Sequence, residues 1–324
     1  MQVTYDGEHS VLIGRLVTTT DKYGRNVEVY NENAFFDTWN YYGLIPQSRP
    51  VIAPPDVQEN TIEVPGSNGL VDLSDVLLGH PLYYNRSGSL DFYVDHTHET
   101  YTTWENAYDR LLNDLHGLNK KLILKDGMGF FYEGRLKVNS WKSDKLASSI
   151  TLDYNFAPYK RMLFTSGEDW LWNPFDFVNG VIPNREEWYE RTVNSSTSAD
   201  DAILILSRRE AGVMPVVPDI ILAPEGHQDI LSGAEKPRLL FAMGDKESDV
   251  RAKLQIDADD RSVNLVFKES ERIGAQGTEY YNNLCKHDPL ISIGAPITRY
   301  WGFRLVTPFD FNIKMVVDFR QGRL

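Results

Sequence analysis

Apolar and polar residues alternate with period two in several stretches of the chain, and one stretch between them switches to helical spacing. Leu90, Phe92 and Val94 alternate with Asp91 and Tyr93, the pattern of a strand with one buried face. Ile150, Leu152, Tyr154 and Phe156 repeat that pattern, separated by Thr151, Asp153 and Asn155. Near the end, Phe309, Phe311, Ile313, Met315, Val317 and Phe319 hold it for six beats. A slip of one residue would turn that whole set into water, so a core must fix its register. Between the first two strands, Trp104, Tyr108, Leu111, Leu112 and Leu115 recur at helical spacing. Thr102 and Glu105 have capping-box spacing, and Gly117 suits the left-handed residue that ends a helix. Such a helix is expected to pack on a sheet face.

Turn chemistry divides the rest. Asp126-Gly127, Gly66 to Gly69 and the proline-rich run from Ser48 to Pro55 mark turns and an extended arm, because paired prolines remove the donors a central strand needs. After Ala157-Pro158-Tyr159 the sequence turns polar, which places a boundary between expected domains 1–165 and 166–324. The second domain offers strands near 203–206, 239–243, 254–256, 263–267 and the terminal six-beat stretch, with no long helix and an exposed loop at 194–201. The expected fold class is therefore mainly β: a β-rich first domain with one packed helix and an extended arm, then an antiparallel β-sandwich.

Composition narrows the functions. The chain has 324 residues, 42% of them hydrophobic and 24% charged, the range of a soluble globular protein. Its net charge of −13 is spread evenly over both halves, without the clustered Lys and Arg that nucleic acid or an anionic membrane requires. Neither is expected as a partner. A single cysteine, Cys285, excludes an intrachain disulfide and a Cys-based zinc cage. The first residues lack a signal-peptide pattern, and no apolar run is long enough to span a bilayer.

Candidate chemistry is thin. His96 and His98 have the spacing of two ligands on one strand face, but they lie between a strand and a helix cap, where a solvated turn is the plainer account. Asp257, Asp259 and Asp260 lack the glycine and closing glutamate of a calcium loop, so a hairpin turn is expected there. With 46 acidic residues, some carboxylate pair always stands at a glycosidase separation, which empties that signal. No nucleophile elbow, phosphate loop or dinucleotide fingerprint is present. The chain is read as non-enzymatic, with no catalytic residue, cofactor or metal. Trp170, Trp172, Phe175 and Phe177, with Trp188 and Tyr189, are read as core or interface ahead of a sugar-stacking platform.

An ordered series of segments goes beyond a generic β protein. Trp39-Asn40-Tyr41-Tyr42-Gly43-Leu44-Ile45-Pro46 is followed by Ser48-Arg49-Pro50-Val51-Ile52-Ala53-Pro54-Pro55, then Val64-Pro65-Gly66 and Gly69-Leu70-Val71-Asp72-Leu73. Pro81-Leu82-Tyr83 with Asn85-Arg86 comes next, and then Leu115-His116-Gly117, Tyr132-Glu133-Gly134-Arg135, Val138 to Lys145 including Trp141, and Pro158-Tyr159-Lys160. In this order and spacing, residues 35–165 resemble the N-terminal domain of the distal tail (Dit) proteins of siphophages with Gram-positive-type hosts. The stretch Trp170 to Phe177, with Gly180-Val181-Ile182-Pro183, resembles the opening of that family's C-terminal domain.

The resemblance implies a virion protein of the tail tip or baseplate, made in the host cytoplasm. In that family the first domain closes a homohexameric ring around the tail channel, and an extended hairpin embraces the neighbouring subunit. The second domain is galectin-like and holds receptor-binding or side-fibre proteins. The hub joins the tail tube, built of major tail protein, to a tail-tip lysin or adhesin. The His-Asn-Pro-Arg sugar-contact pattern of true galectins is absent, so no saccharide site carries over. Arg49 and Arg86 are candidates either for intersubunit contacts or for bracing their own domain, together with Pro54 and Pro55 and the aromatic anchors Trp39, Tyr42, Tyr83 and Trp141. The alternative reading is a glycan-binding adhesin module contacting cell-wall polysaccharide, with a carbohydrate-active enzyme behind it.

Overall fold

The computed structural model of the chain describes residues 7–21, 25–66, 68–74, 80–95, 104–127, 129–143, 148–165, 189–224, 237–256, 272–273, 281–283, 293–294 and 298–324. His96 and His98, Thr102, the Asp257 to Asp260 cluster, the expected strand at 263–267, Cys285, and Trp170 to Phe177 with Trp188 lie outside these residues. The chain forms two compact units: residues 1–17, 28–163 and 324, and residues 18–27 with 164–323. Residues 18–27, which the sequence assigns to the first domain by position, cluster with the second unit. No helix among the described residues is long and apolar enough to cross a membrane.

The first unit is built on one antiparallel sheet. Its first strand is β1 (Val11–Gly14); β2 (Val17–Thr20) and β3 (Asn26–Val29), most of whose residues cluster with the second unit, pair separately as a ribbon. There follow β4 (Phe35–Asp37), β5 (Leu44–Pro46), β6 (Thr61–Glu63), β7 (Leu70–Asp72), β8 (Arg86–Val94), β9 (Asn119–Leu124), β10 (Phe130–Ser143), β11 (Ser148–Phe156) and β12 (Lys160–Met162). The main path across the sheet runs β4-β1-β9-β10-β11-β8-β5, while β6 and β7 form a ribbon of their own. Leu90, Phe92 and Val94 on β8 and Ile150, Leu152, Tyr154 and Phe156 on β11 all turn into one core, as their alternation requires. Helix Trp104–Leu115 covers that face through Leu111 and Leu115, and Gly117 beyond its end takes φ 75°. Between Val138 and Trp141 the pairing of β10 with β11 shifts by one residue, a bulge that sets Trp141 opposite Ile150.

The second unit contains two antiparallel sheets. One runs β13 (Glu190–Val193), β20 (Ile313–Asp318), β15 (Asp219–Pro224), β18 (Tyr281–Asn283) and β17 (Arg272–Ile273). The other runs β14 (Ile203–Ser207), β19 (Tyr300–Val306) and β16 (Arg238–Gly244). Leu204, Phe241, Trp301 and Phe303 from the smaller sheet share a core with Ile220, Leu222, Met315 and Val317 from the larger, so the two sheets form a sandwich.

Two details depart from the sequence reading. The segment 254–256 is not a strand: Leu254 belongs to helix Glu247–Gln255, where Val250 and Leu254, four residues apart, cover the outer face of the smaller sheet over Ile203 and Leu240. That helix lies close because position 302 is glycine; a Cβ there would stand 2.6 Å from both Val250 Cγ1 and Leu254 Cδ1. The terminal strand is also shorter than its six beats, since only Ile313–Asp318 is paired. Phe309 and Phe311 stack on each other at 4.9 Å and pack against the sandwich core from the preceding loop.

Candidate interaction surface

The segment from Pro50 to Asn85 leaves the first unit's sheet as an arm. Its proline-rich start runs without regular pairing until Val57 bridges Tyr83, and Gln58 N–H donates to the Leu82 carbonyl at 2.8 Å. Further out, Thr61, Ile62 and Glu63 pair with Asp72, Val71 and Leu70. Every residue of β6 and β7 is exposed on both faces of this ribbon. An isolated two-stranded ribbon of this length is at best marginally stable in water.

The ribbon's two faces differ in chemistry. Alternation along β6 and the register with β7 put Thr61, Glu63, Leu70 and Asp72 on one side and Ile62 and Val71 on the other. Among the described residues, half of the conspicuously exposed large apolar side chains lie on this arm: Val51, Val57, Ile62, Val64, Leu70, Val71, Leu82 and Tyr84, with Leu70 64% exposed. Residues 50–85 also hold five carboxylates and no Lys or Arg. Asp72 takes hydrogen bonds from the backbone N–H and hydroxyl of Ser74, which hold its carboxyl below the ordinary carboxylate value.

The root of the arm is rigidly made. Arg86, buried at the start of β8, donates from Nη1 to the Ala53 carbonyl at 3.0 Å and from Nε to the Pro158 carbonyl at 2.7 Å. The Ala53 N–H donates to the Tyr154 hydroxyl at 2.9 Å, so both backbone groups of Ala53 are held. Glycine at 88 makes room for that hydroxyl, which a Cβ would approach to 2.5 Å. The Arg86 guanidinium lies over the Tyr132 ring at 5.5 Å, and burial lowers its pKa while the charge of Arg86 opposes the rise that burial gives the Tyr132 phenol. Tyr83 meets Tyr159 edge to face at 5.9 Å.

The structure therefore brings Tyr83 and Arg86 together at the root, with Pro54 and Pro55 adjoining through Ala53. It sets the remaining candidates elsewhere. Tyr42 is fully buried in the core, its hydroxyl 3.3 Å from Asp114 Oδ2, and Trp39 is half-buried on the same short helix, Thr38–Tyr42. Arg49 is exposed and donates to Asp126 Oδ2 at 2.7 Å. Trp141, 48% exposed, has its ring 6.0 Å from that of Tyr108. Tyr154 and the ribbon's apolar residues were missed. The ribbon's signal in the sequence is a 36-residue stretch rich in Val, Leu and acid and devoid of base.

Beside the root lies a polar cleft of about 430 Å³, lined by Asn85, Asn119, Glu133, Arg135, Asn155 and Arg161 among others. Asn119, Arg135 and Asn155 are register partners on three adjacent strands, so they stand in one row across the sheet. Glu133 is already paired with Lys121 and with Arg161 Nη1, the latter at 3.3 Å. Arg135 Nη1 donates to the Gly117 carbonyl at 2.7 Å. Among the described residues no group of His, Cys, Asp and Glu is arranged to hold a metal ion.

No family model and no curated protein matches the chain. Among solved structures, the chain is similar to the SPP1 Dit protein, described as a paradigm of the hub adsorption apparatus in phages that infect Gram-positive hosts. The match has 12% identity and a TM-score of 0.44, and it covers 88% of this chain and 96% of that one.

Proposed function

We propose that this chain is a non-enzymatic structural component of a phage tail tip, six copies of which close a ring through the arm of each on the next. The observation that carries this reading is the ribbon of β6 and β7: both its faces are exposed, it bears Ile62, Val71 and Leu70 to solvent, and its root is fixed by Arg86 and Tyr154. A fixed root limits the ordering entropy lost when such an arm docks, and unpaired edges are what a neighbour's surface satisfies. The ordered segments of residues 35–165 that resemble distal tail proteins include β7 of the ribbon and, at its root, Ala53, Arg86 and Pro158. In this reading the ring links the tail tube to a tail-tip lysin, adhesin or receptor-binding protein, with the β-sandwich unit as a docking platform. A net charge of −13 keeps such a ring from holding passing DNA.

The test is the mass of the purified chain by light scattering after size exclusion, across a concentration series. A species of six times 37.1 kDa that dissociates on dilution is the expected result. A monomer at every concentration, both alone and with the tail proteins encoded beside it, would reject the ring.

A further inference from the structure

We infer that the acidic face of the arm ribbon, carrying Glu63 and Asp72, seats in the Arg135–Arg161 cleft of a second copy of this chain. The inference rests on the ring reading and adds to it the receiving surface.

Charge complementarity is the first ground. The arm carries five carboxylates without one Lys or Arg, and Glu63 and Asp72 stand on one face of the ribbon. The cleft offers two guanidinium groups against one carboxylate, Glu133, which Lys121 and Arg161 already neutralise. Arg135 is flanked across the sheet by the amides of Asn119 and Asn155 at the strand spacing of about 4.8 Å. A guanidinium between two amides presents a row of donors suited to a carboxylate. The row holds no aromatic ring on which a sugar would stack.

Unmet hydrogen bonding is the second ground. Among the described residues three buried side-chain nitrogens have no partner, and two of them, Arg86 Nη2 and Arg161 Nε, belong to the root and the cleft beside it. An unspent donor on each guanidinium leaves the root and the cleft beside it with hydrogen-bonding capacity that the single chain does not use. Asn85 lines the cleft and directly precedes Arg86, so a contact from ribbon to cleft places each copy's arm at the root of the next. That contact is heterologous, joining two different patches, which is the kind that generates a closed ring.

The experiment is a charge swap read by the concentration at which the ring dissociates. Arg135 is the chosen cleft residue because Arg161 also braces Glu133. Arg135→Glu and Glu63→Arg, each alone, are expected to raise the ring's dissociation midpoint at least tenfold, with the thermal transition of the dilute monomer unchanged for Glu63→Arg and lowered only slightly for Arg135→Glu, which gives up its exposed hydrogen bond to the Gly117 carbonyl. The two together are expected to recover most of the loss. In a second measurement, Glu63→Cys with Arg135→Cys in a Cys285→Ser background should give, on mild oxidation, a ladder of disulfide-linked oligomers ending at six. A wild-type ring whose midpoint is unaffected by either single change, and which yields no ladder, overturns this inference, leaves the ring intact and assigns the cleft to a different partner. A wild type without any ring overturns the underlying reading instead.

Discussion

Two short ribbons emerge from neighbouring parts of the sequence, and they meet opposite fates. The ribbon of β2 and β3 is clasped. Its turn residue Arg25 is buried, donates to Asp21 within the turn, and reaches Asp219 Oδ2 at 3.1 Å and Asp318 Oδ2 at 2.6 Å. Asp219 and Asp318 are direct cross-strand partners on β15 and β20, an arrangement of like charges that destabilises a sheet unless a cation stands between them. Burial works against the charge on Arg25, but Asp318 and Asp21 outweigh it and raise the pKa. The ribbon of β6 and β7 has no such clasp, and it keeps both faces open. A ribbon's stability is thus decided less by its own strands than by whether its side chains are spent inside the chain or kept for another.

The comparison breaks most sharply at Arg25. Arg25→Ala leaves three carboxylates facing one another and is expected to cost about 3–5 kcal/mol, read from the denaturant midpoint of the second unit. A loss below about 1 kcal/mol would make this ribbon as loosely held as the other. Arg86→Ala strands the Ala53 and Pro158 carbonyls, and a cost of about 2–3 kcal/mol is expected, with faster hydrogen exchange confined to residues near 53 and 86.

An alkaline titration separates the clasp from its surroundings. Burial and, behind it, Glu210 push the Tyr189 phenol up to about 12, above its ordinary 10. A raised folded value favours the neutral form, so this contribution is complete below pH 10 and is lost as the pH climbs through 12. Tyr189→Phe should therefore retain about 1 kcal/mol more stability than wild type at pH 11 and show no such gain at pH 7. Arg25 stays charged throughout, so an equal gain at both pH values would sever the link to titration. The smallest effect on the monomer is expected for Ile62→Ser with Val71→Ser: stability within about 0.5 kcal/mol of wild type by chemical denaturation, but loss of the ring.

What could be read in advance follows from how local each signal is. The buried faces of β8 and β11 were legible because alternation over five or more residues fixes both element type and facing. Helix Glu247–Gln255 was not, because Leu254 and Ile256 mimic a strand when taken without Val250. Phe309 and Phe311 keep the terminal alternation yet pack from a loop, since alternation records burial and not pairing. The arm was legible as an arm from its prolines, but its two faces emerge only once Ile62 is known to stand opposite Val71. The Arg25 clasp had no sequence signal, because its partners lie 194 and 293 residues away.

That last separation bears on biosynthesis. On a ribosome adding about 5–20 residues per second, Arg25 leaves the tunnel tens of seconds before Asp318 is made. The first unit's sheet can close once residue 163 has emerged, while the ribbon it releases waits for both of its carboxylate partners. Completion of the second unit thus depends on the earliest part of the nascent chain, and a polypeptide begun after Arg25 would carry the Asp219–Asp318 pair with its cation missing.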